Sequence, residues 1–453
     1  MKKLLRLLLL FAVYPAAIHA QGTSSAWLDV TYDYGADNLC TAGTDDGPKI
    51  QNAINAVGAN GGVVFFPPGC YLVSTQIVDT NSSANGITYL GFGRVQLRAG
   101  TGSAAPSHSI IQFGNDSTTI TRRKIVNLEF NCNTSSIDGV DIDGLTDSEF
   151  DDVDILSCHG GSNWHMRTVG ANTSDWSNVY VGGVIDADAS NENGISLGSN
   201  SGAPYANGWS FVGTKILGNA SSPTGTGLDL EGAASSLHGG VVSGWGQGIT
   251  IVTSNPASGV KGGFEISGNY IENNQNYGIL VGYSGSVSSP AGVAISGNYI
   301  NCNGVGSIGV ELQQVNGYSI AGNHIRDCTT AAINGTPDGT SAGSDNGLVG
   351  ANFIDGGQPV HLYGSNNTVT SFLTTQSSSY VLKATDTWVN VTGTSTVTVP
   401  NNVIGQHWDV FNSGSSTVTL VCYTGTINGG SSVTVASQTG KSVTTDGTNC
   451  FAH

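Results

Sequence analysis

The segment Ile266–Ile271 reads ISGNYI, and the same six letters return at Ile295–Ile300, followed by IAGNHI at Ile320–Ile325 and VGANFI at Val349–Ile354. Weaker copies begin at Ile125, Phe150, Trp176, Phe211 and Leu237, so a period of roughly 25 to 35 residues covers most of the chain before residue 370. Self-similarity at that period marks a repeat architecture, in which each unit buries its apolar face only against its neighbours. Each repeat also carries a second short strand opened by glycine: GVDID at Gly139, GISL at Gly194, GLDLE at Gly227, GITIV at Gly248, GILV at Gly278 and GVEL at Gly309. Two or three short strands per repeat, joined by Gly and Asn corners, stack as coils, which predicts an all-β, right-handed parallel β-helix. Asn269, Asn298, Asn323 and Asn352 recur at one place in four repeats. Two readings stand: amides hydrogen-bonded along the helix axis, or residues tolerated in a left-handed turn.

Outward from the repeats, Gly61–Val73 reads GGVVFFPPGCYLV, a strand stopped by Pro-Pro-Gly and then resumed, as expected of a corner between two sheets. Just before it, Asp45 to Val57 shows Ile50, Ala53, Ile54 and Val57 at helical spacing, with Thr44 as the expected cap residue. This helix is expected to cover the open end of the coils, whose strand edges would otherwise stay unpaired. From about Ser377 the pattern changes to YVLKATDTWVNVTG, STVTVP, HWDVFNSG and STVTLVCY, read as a small β-sandwich-like module. The expected organisation is therefore a signal peptide over 1–20, a β-helix over 21–372 and the C-terminal β module over 376–453.

Composition agrees with a turn-rich β protein: 65 glycines, two methionines and 10% charged residues among 453. Lys2, Lys3 and Arg6 precede the apolar run Leu7 to Val13 and small residues up to Ala20, the layout of a secretory signal. That run is too short to span a membrane, which needs ~20 apolar residues. Secretion to an extracellular or periplasmic space is expected. Without the three leader charges, twelve Lys and Arg face 32 Asp and Glu, a net charge of about −20 that repels nucleic acid and anionic membranes. Eight cysteines in an exported chain point to disulfides. Cys132 and Cys158 are 26 apart, as are Cys302 and Cys328, and both pairs follow matched strand ends, so each pair would staple neighbouring coils about 4.8 Å apart. Cys40 with Cys70 and Cys422 with Cys450 complete a sequential pairing. The other reading is partly buried free thiols.

The blocks DYGADN, TDDGPKIQNAINA and GGVVFFPPGCYLV, over about residues 31 to 75, closely resemble the N-terminal signature of the pectate-lyase-like superfamily of right-handed β-helices. That superfamily includes polygalacturonase- and rhamnogalacturonase-type hydrolases, polysaccharide lyases, epimerases and phage tailspikes. The resemblance implies the fold and a polysaccharide substrate, and it leaves the reaction open because one fold hosts many chemistries. The C-terminal segment looks like the small β modules that end some phage tail-fibre proteins. Polygalacturonase-type enzymes carry an Asp pair, a G-H-G motif about one coil later and an R-x-K motif. In this chain His165 follows Asp143 by 22 residues but lies in NWHMR, His159 in CHGG follows Asp151 and Asp152 too soon, and R-x-K is absent.

Strand alternation predicts an outward ladder from coil to coil: Asp141 and Asp143, His165 and Arg167, Ser196, Asp229 and Glu231, Thr250, Leu280, Glu311 and Gln313, Asn334, then His361 and Tyr363. Glycoside hydrolysis needs two carboxyl groups ~5 to 9.5 Å apart, and residues i and i+2 of a strand lie ~6.6 Å apart. Asp141 with Asp143 and Asp229 with Glu231 are thus the candidate catalytic pairs, with His165 beside the first. Arg167, Trp164, Glu311 and His361 are candidate substrate contacts, and Trp176, Trp209 and Trp245 are further candidates for stacking on sugar rings. Outward carboxylates also serve simply to solvate a face. Hydrolysis of a weakly charged plant or microbial glycan, with no cofactor, is the leading expectation. A lyase would call for Ca²⁺ on Asp141, Asp143 and neighbouring acids, and a non-catalytic glycan-binding or adhesin-type β-helix is the alternative from another class. The expected assembly is a monomer or a homotrimer.

Overall fold

The computed structural model describes residues 26–453 except 160–163, 171–174, 199–205, 220–222, 231–233, 252–261, 283–289, 337–343, 356–359, 363–366, 370–371, 384–385 and 401–406. The expected signal segment lies outside the described residues. Three long sheets form the faces of a right-handed parallel β-helix. Sheet A has thirteen strands from Ala26–Asp29 to Thr368–Val369, sheet B sixteen from Gly69–Val73 to Cys450–Ala452, and sheet C eleven from Ile77–Asp79 to Val360–His361. The chain visits A, B and C in turn. A minor sheet D of two-residue strands, Ile120–Thr121, Leu145–Thr146, Asp175–Trp176 and Ala206–Asn207, widens four coils between C and A.

The Pro67-Pro68 break is a corner, as expected: Gly62–Phe66 lies in sheet A and Gly69–Val73 in sheet B. The repeat phase is the register itself, because Ile125, Phe150, Tyr180, Phe211, Leu237, Ile266, Ile295, Ile320 and Val349 pair one to the next and are fully buried. Tyr180 occupies the place expected for Trp176. The tryptophan belongs instead to sheet D and is 54% exposed.

The asparagine column is an amide ladder. Asn269 Nδ2 donates to Asn298 Oδ1 (2.9 Å), Asn298 to Asn323 (3.0 Å) and Asn323 to Asn352 (2.9 Å), and each Nδ2 also reaches a backbone carbonyl of the preceding coil. The left-handed backbone belongs to the preceding residue in the first three, Gly268, Gly297 and Gly322, with φ of 65°, 64° and 69°. The ladder therefore exists because the amides find partners, while glycine makes the turn. All four sequential disulfides are formed, with Cα separations of 5.0, 4.8, 4.7 and 5.8 Å.

The helix runs from Gly47 to Ala56 and its N-cap is Asp46, not Thr44. Asp45 and Asp46 accept backbone N–H groups of Ser74 (2.9 Å) and Leu72 (3.2 Å), pinning the helix to the first coil. Gln51 covers the edge strand of sheet C, accepting from Val78 N (2.7 Å) and donating to Val78 O (2.9 Å). The helix is thus the end cap.

Beyond residue 372 the three-sided coil gives way to two sheets. Sheet B continues in parallel register through Phe372–Gln376, Trp388–Val391 and His407–Asn412, then reverses into antiparallel Thr439–Thr445 and Cys450–Ala452. Sheet E, comprising Tyr380–Val381, Thr396–Val399, Val418–Cys422 and Val433–Val435, accompanies it. Residues such as Val389, Val397, Trp408 and Leu420 form a core separate from that of the helix. The module is sandwich-like in section and shares one sheet with the β-helix. Among the described residues no helix is long and apolar enough to cross a membrane.

Candidate functional site

Sheet C carries the expected outward column. Asp141 pairs with Arg167, and the register continues through Ser196, Asp229, Thr250, Leu280, Glu311, Asn334 and His361. Neighbouring rungs are tied together: Thr250 Oγ1 donates to Asp229 Oδ1 (2.5 Å) and Asn334 Nδ2 to Glu311 Oε2 (2.8 Å). Three strand spacings, about 14 Å, separate Asp141 from Asp229, so the two candidate pairs cannot act on one bond. Glu231 and the side chain of His361 lie outside the described residues, as does Tyr363.

His165 is not on this face. It is fully buried, and its ring contacts the backbone carbonyls of Asn193 (2.7 Å) and Asp186 (3.0 Å), while burial pushes its pKa below the usual value. The reason is a bend at the start of the strand. His165 stands in the column of the opening glycines, and a Cβ on Gly139 in that column would meet Ile155 Cγ2 at 2.3 Å and Cys158 Sγ at 3.2 Å. The column faces inward, and so does the next residue, Val140, so simple alternation fails across this bend.

The same bend turns Asp138 toward the site, a residue that alternation from Val140 assigns to the interior. Asp138 and Asp141 are hydrogen-bonded to each other, and both are almost fully buried. Arg167 Nε is 2.5 Å from Asp138 Oδ2 and 3.7 Å from Asp141 Oδ1, as ion-pair contacts lacking hydrogen-bond alignment, and its side chain is 36% exposed. Trp164, half-buried, donates its backbone N–H to Asp138 Oδ1 (2.6 Å). Burial, reinforced by the negative charge of Asp141, pushes the Asp138 carboxyl up to about 8. Burial also raises Asp141, against the pull of Arg167 and of hydrogen bonds with Asp138 and Ser109. One guanidinium faces two carboxyl groups, so the pair retains a proton to neutral pH. Among the described residues, Asp141 Oδ1 is a buried acceptor with no hydrogen-bond donor.

Asp143 lies two residues on, at the edge of the pair. A Cβ on Gly170 would meet Asp143 Oδ2 at 2.3 Å and Asp116 Oδ1 at 2.5 Å, so glycine leaves room there for two acids. Trp209 and Trp245 are core residues, 0% and 1% exposed, and offer no sugar platform. Among the described residues one group of three His, Cys, Asp or Glu side chains brings its ligand atoms within 4.8 Å of one another: His159, Asp188 and Glu192, at the corner between sheets B and C.

In fold, the chain is similar to the tailspike protein of Escherichia coli bacteriophage HK620, a double mutant, with a TM-score of 0.52 at 13% identity over 87% of this chain and 80% of that one. It is also similar to the A-module of Azotobacter vinelandii mannuronan C-5 epimerase AlgE4, with a TM-score of 0.48 at 14% identity over 82% and 94%. No curated protein matches the sequence. The family model for rhamnogalacturonase A/epimerase, pectate lyase-like, matches residues 27–265, more than half of the chain and all of the acid site. The chain belongs to the rhamnogalacturonase A/epimerase family of pectate lyase-like proteins.

Proposed function

We propose that the protein is a secreted polysaccharide-degrading enzyme that hydrolyses glycosidic bonds at the Asp138–Asp141–Asp143 strand on the outer face of sheet C. The observation that carries this reading is the buried, hydrogen-bonded pair Asp138–Asp141, raised in pKa and contacted by a single half-exposed guanidinium. A carboxyl group that keeps its proton near neutral pH is what protonation of a leaving glycosidic oxygen needs. The pair gives up that proton as the C–O bond breaks. Asp143, ~6.6 Å along the strand from Asp141, is within the range for the second carboxylate, which activates water or attacks the anomeric carbon. Arg167 and Trp164 hold the sugar, one by hydrogen bonding to hydroxyls and the other by its ring face. Asp229, half-buried, lies farther along the same column and extends the binding face, whereas Glu311, expected as a substrate contact, is 1% exposed and bonded to Asn334. Membership of the rhamnogalacturonase A/epimerase family favours a polysaccharide partner, and four disulfides fit an oxidising extracellular compartment.

The test is incubation with pectins, rhamnogalacturonan, xylans and bacterial exopolysaccharides, with and without Ca²⁺, reading reducing ends and unsaturated-uronate absorbance together. Reducing ends without the absorbance, lost in Asp138→Asn, are the expected result. Both signals together would replace hydrolysis by β-elimination, and silence across the panel would leave a glycan-binding protein.

A further inference from the structure

We propose that His159, Asp188 and Glu192 form a site for one divalent transition-metal ion of the zinc class, bridging two successive coils at the corner between sheets B and C. His159 follows Cys158 at the end of one coil, while Asp188 and Glu192 lie in the corresponding corner of the next, just before the sheet C strand Asn193–Leu197. One ligand atom from each lies within 4.8 Å of the other two, and His159 Nε2 contacts both Asp188 Oδ1 and Glu192 Oε1.

Glu192 points to a ligand independently. Its side chain is fully buried, yet Oε1 accepts no hydrogen bond although His159 Nε2 is 2.9 Å away. Its other oxygen is already used, accepting the Asp188 backbone N–H at 2.9 Å. An acceptor buried in this way costs stability unless something fills it. The surrounding frame is fixed: Cys158 is held by its disulfide to Cys132, and Asn219 Nδ2 donates to the Asp188 carbonyl at 2.7 Å. His159 and Asp188 are 30% and 49% exposed at their side chains, so the outer side is open for entry of the ion and for water to complete its coordination.

The donor set selects the ion. One imidazole and two carboxylate oxygens suit Zn²⁺, whose ligand atoms lie ~2.0–2.2 Å from the metal, whereas Ca²⁺ takes 6–8 oxygens and gains little from imidazole. The site is distinct from the Asp138–Asp141 pair, and metal binding is read without any glycan.

The test titrates chelator-treated full-length protein with ZnCl₂ in competition with a chromophoric chelator, with CaCl₂ in parallel and melting curves at each concentration. One Zn²⁺ per chain is expected, with Zn²⁺ preferred to Ca²⁺ by at least about 100-fold and a melting temperature that rises with added Zn²⁺. His159→Gln and Asp188→Asn, both on the solvent side, should each weaken Zn²⁺ binding by at least about tenfold while the zinc-free melting temperature is retained. His324→Gln, on sheet B, should bind like the parent. Unchanged Zn²⁺ affinity in both cluster variants, Ca²⁺ bound as tightly as Zn²⁺, or no binding at all would each overturn the site.

Discussion

Among the described residues a guanidinium meets fully buried carboxylate in two places, and the two are built differently. In the first coils, Arg123 and Asp79 are both fully buried and every group is used. Arg123 Nε donates to Asp79 Oδ2 at 2.6 Å, Tyr89 Oη donates to the same oxygen at 2.6 Å, and the remaining Arg123 nitrogens reach the carbonyls of Asn81 (2.7 Å) and Thr121 (2.8 Å). At the candidate site one half-exposed Arg167 faces two buried acids, Asp138 and Asp141. One-to-one compensation makes a rigid joint between coils. Two acids per cation leave a proton in place and an acceptor without a donor, an arrangement that stability alone does not favour.

The contrast is broken most severely at the joint. Arg123→Met leaves Asp79 buried without its counter-charge, and a loss of about 3–5 kcal/mol is expected in denaturant unfolding. Asp138→Asn, a change of similar shape, should do the reverse of that. Turnover is expected to fall by about 10²–10⁴-fold, the usual worth of a general acid, while thermal stability holds or rises because one of two repelling buried acids is gone. If Asp138→Asn instead unfolds the protein as Arg123→Met does, the two places are alike and the site reading fails.

A pH series sharpens the same point. The folded-state pKa of Asp138, about 8, lies above its ordinary value of 3.8. Its contribution to stability is therefore fully present below the ordinary carboxyl pKa and is lost as pH rises through about 8. Activity should fall as pH rises through about 8, where the acid loses its proton, and the fall in stability between the ordinary value of 3.8 and about 8 should flatten in Asp138→Asn. The smallest effect is expected three rungs away. Asp229→Asn should change turnover by less than about threefold, since position along the column rather than acidity defines the centre; abolished turnover would move the centre to that rung.

Much of this is legible in the sequence. The repeats at Ile266, Ile295, Ile320 and Val349 announce the coil because stacking demands the same residue type at the same phase, and phase survives in sequence. The disulfides follow from the same phase, since cysteines one coil apart and equally placed after a strand are adjacent in space. The outward column from Asp141 through Arg167 to Asn334 was readable by alternation once each strand was under way. What alternation cannot see is the bend at the opening glycine, and that one feature sent His165 inside and brought Asp138 to the site. The signal was present in the unit Asp138-Gly139, an acid immediately before a corner glycine, but its meaning depends on the neighbouring coil that crowds the glycine. The continuity of sheet B into the C-terminal module was hidden for a related reason. The local pattern changes after Ser377, and pairing between Leu373 and Trp388 is a property of two segments together.

Gln51 has a consequence for how this molecule meets copies of itself. A parallel strand edge is a template, and any extended chain of the right register can be added to it indefinitely. By offering one amide oxygen and one amide nitrogen to a single residue, Val78, the glutamine impersonates the next peptide unit and ends propagation with one side chain. At the opposite end sheet B stops by reversing direction, so a parallel newcomer finds no continuing lattice. The solenoid is a polymer of coils with a chain terminator at one end and a reversal at the other, and its length is written at both.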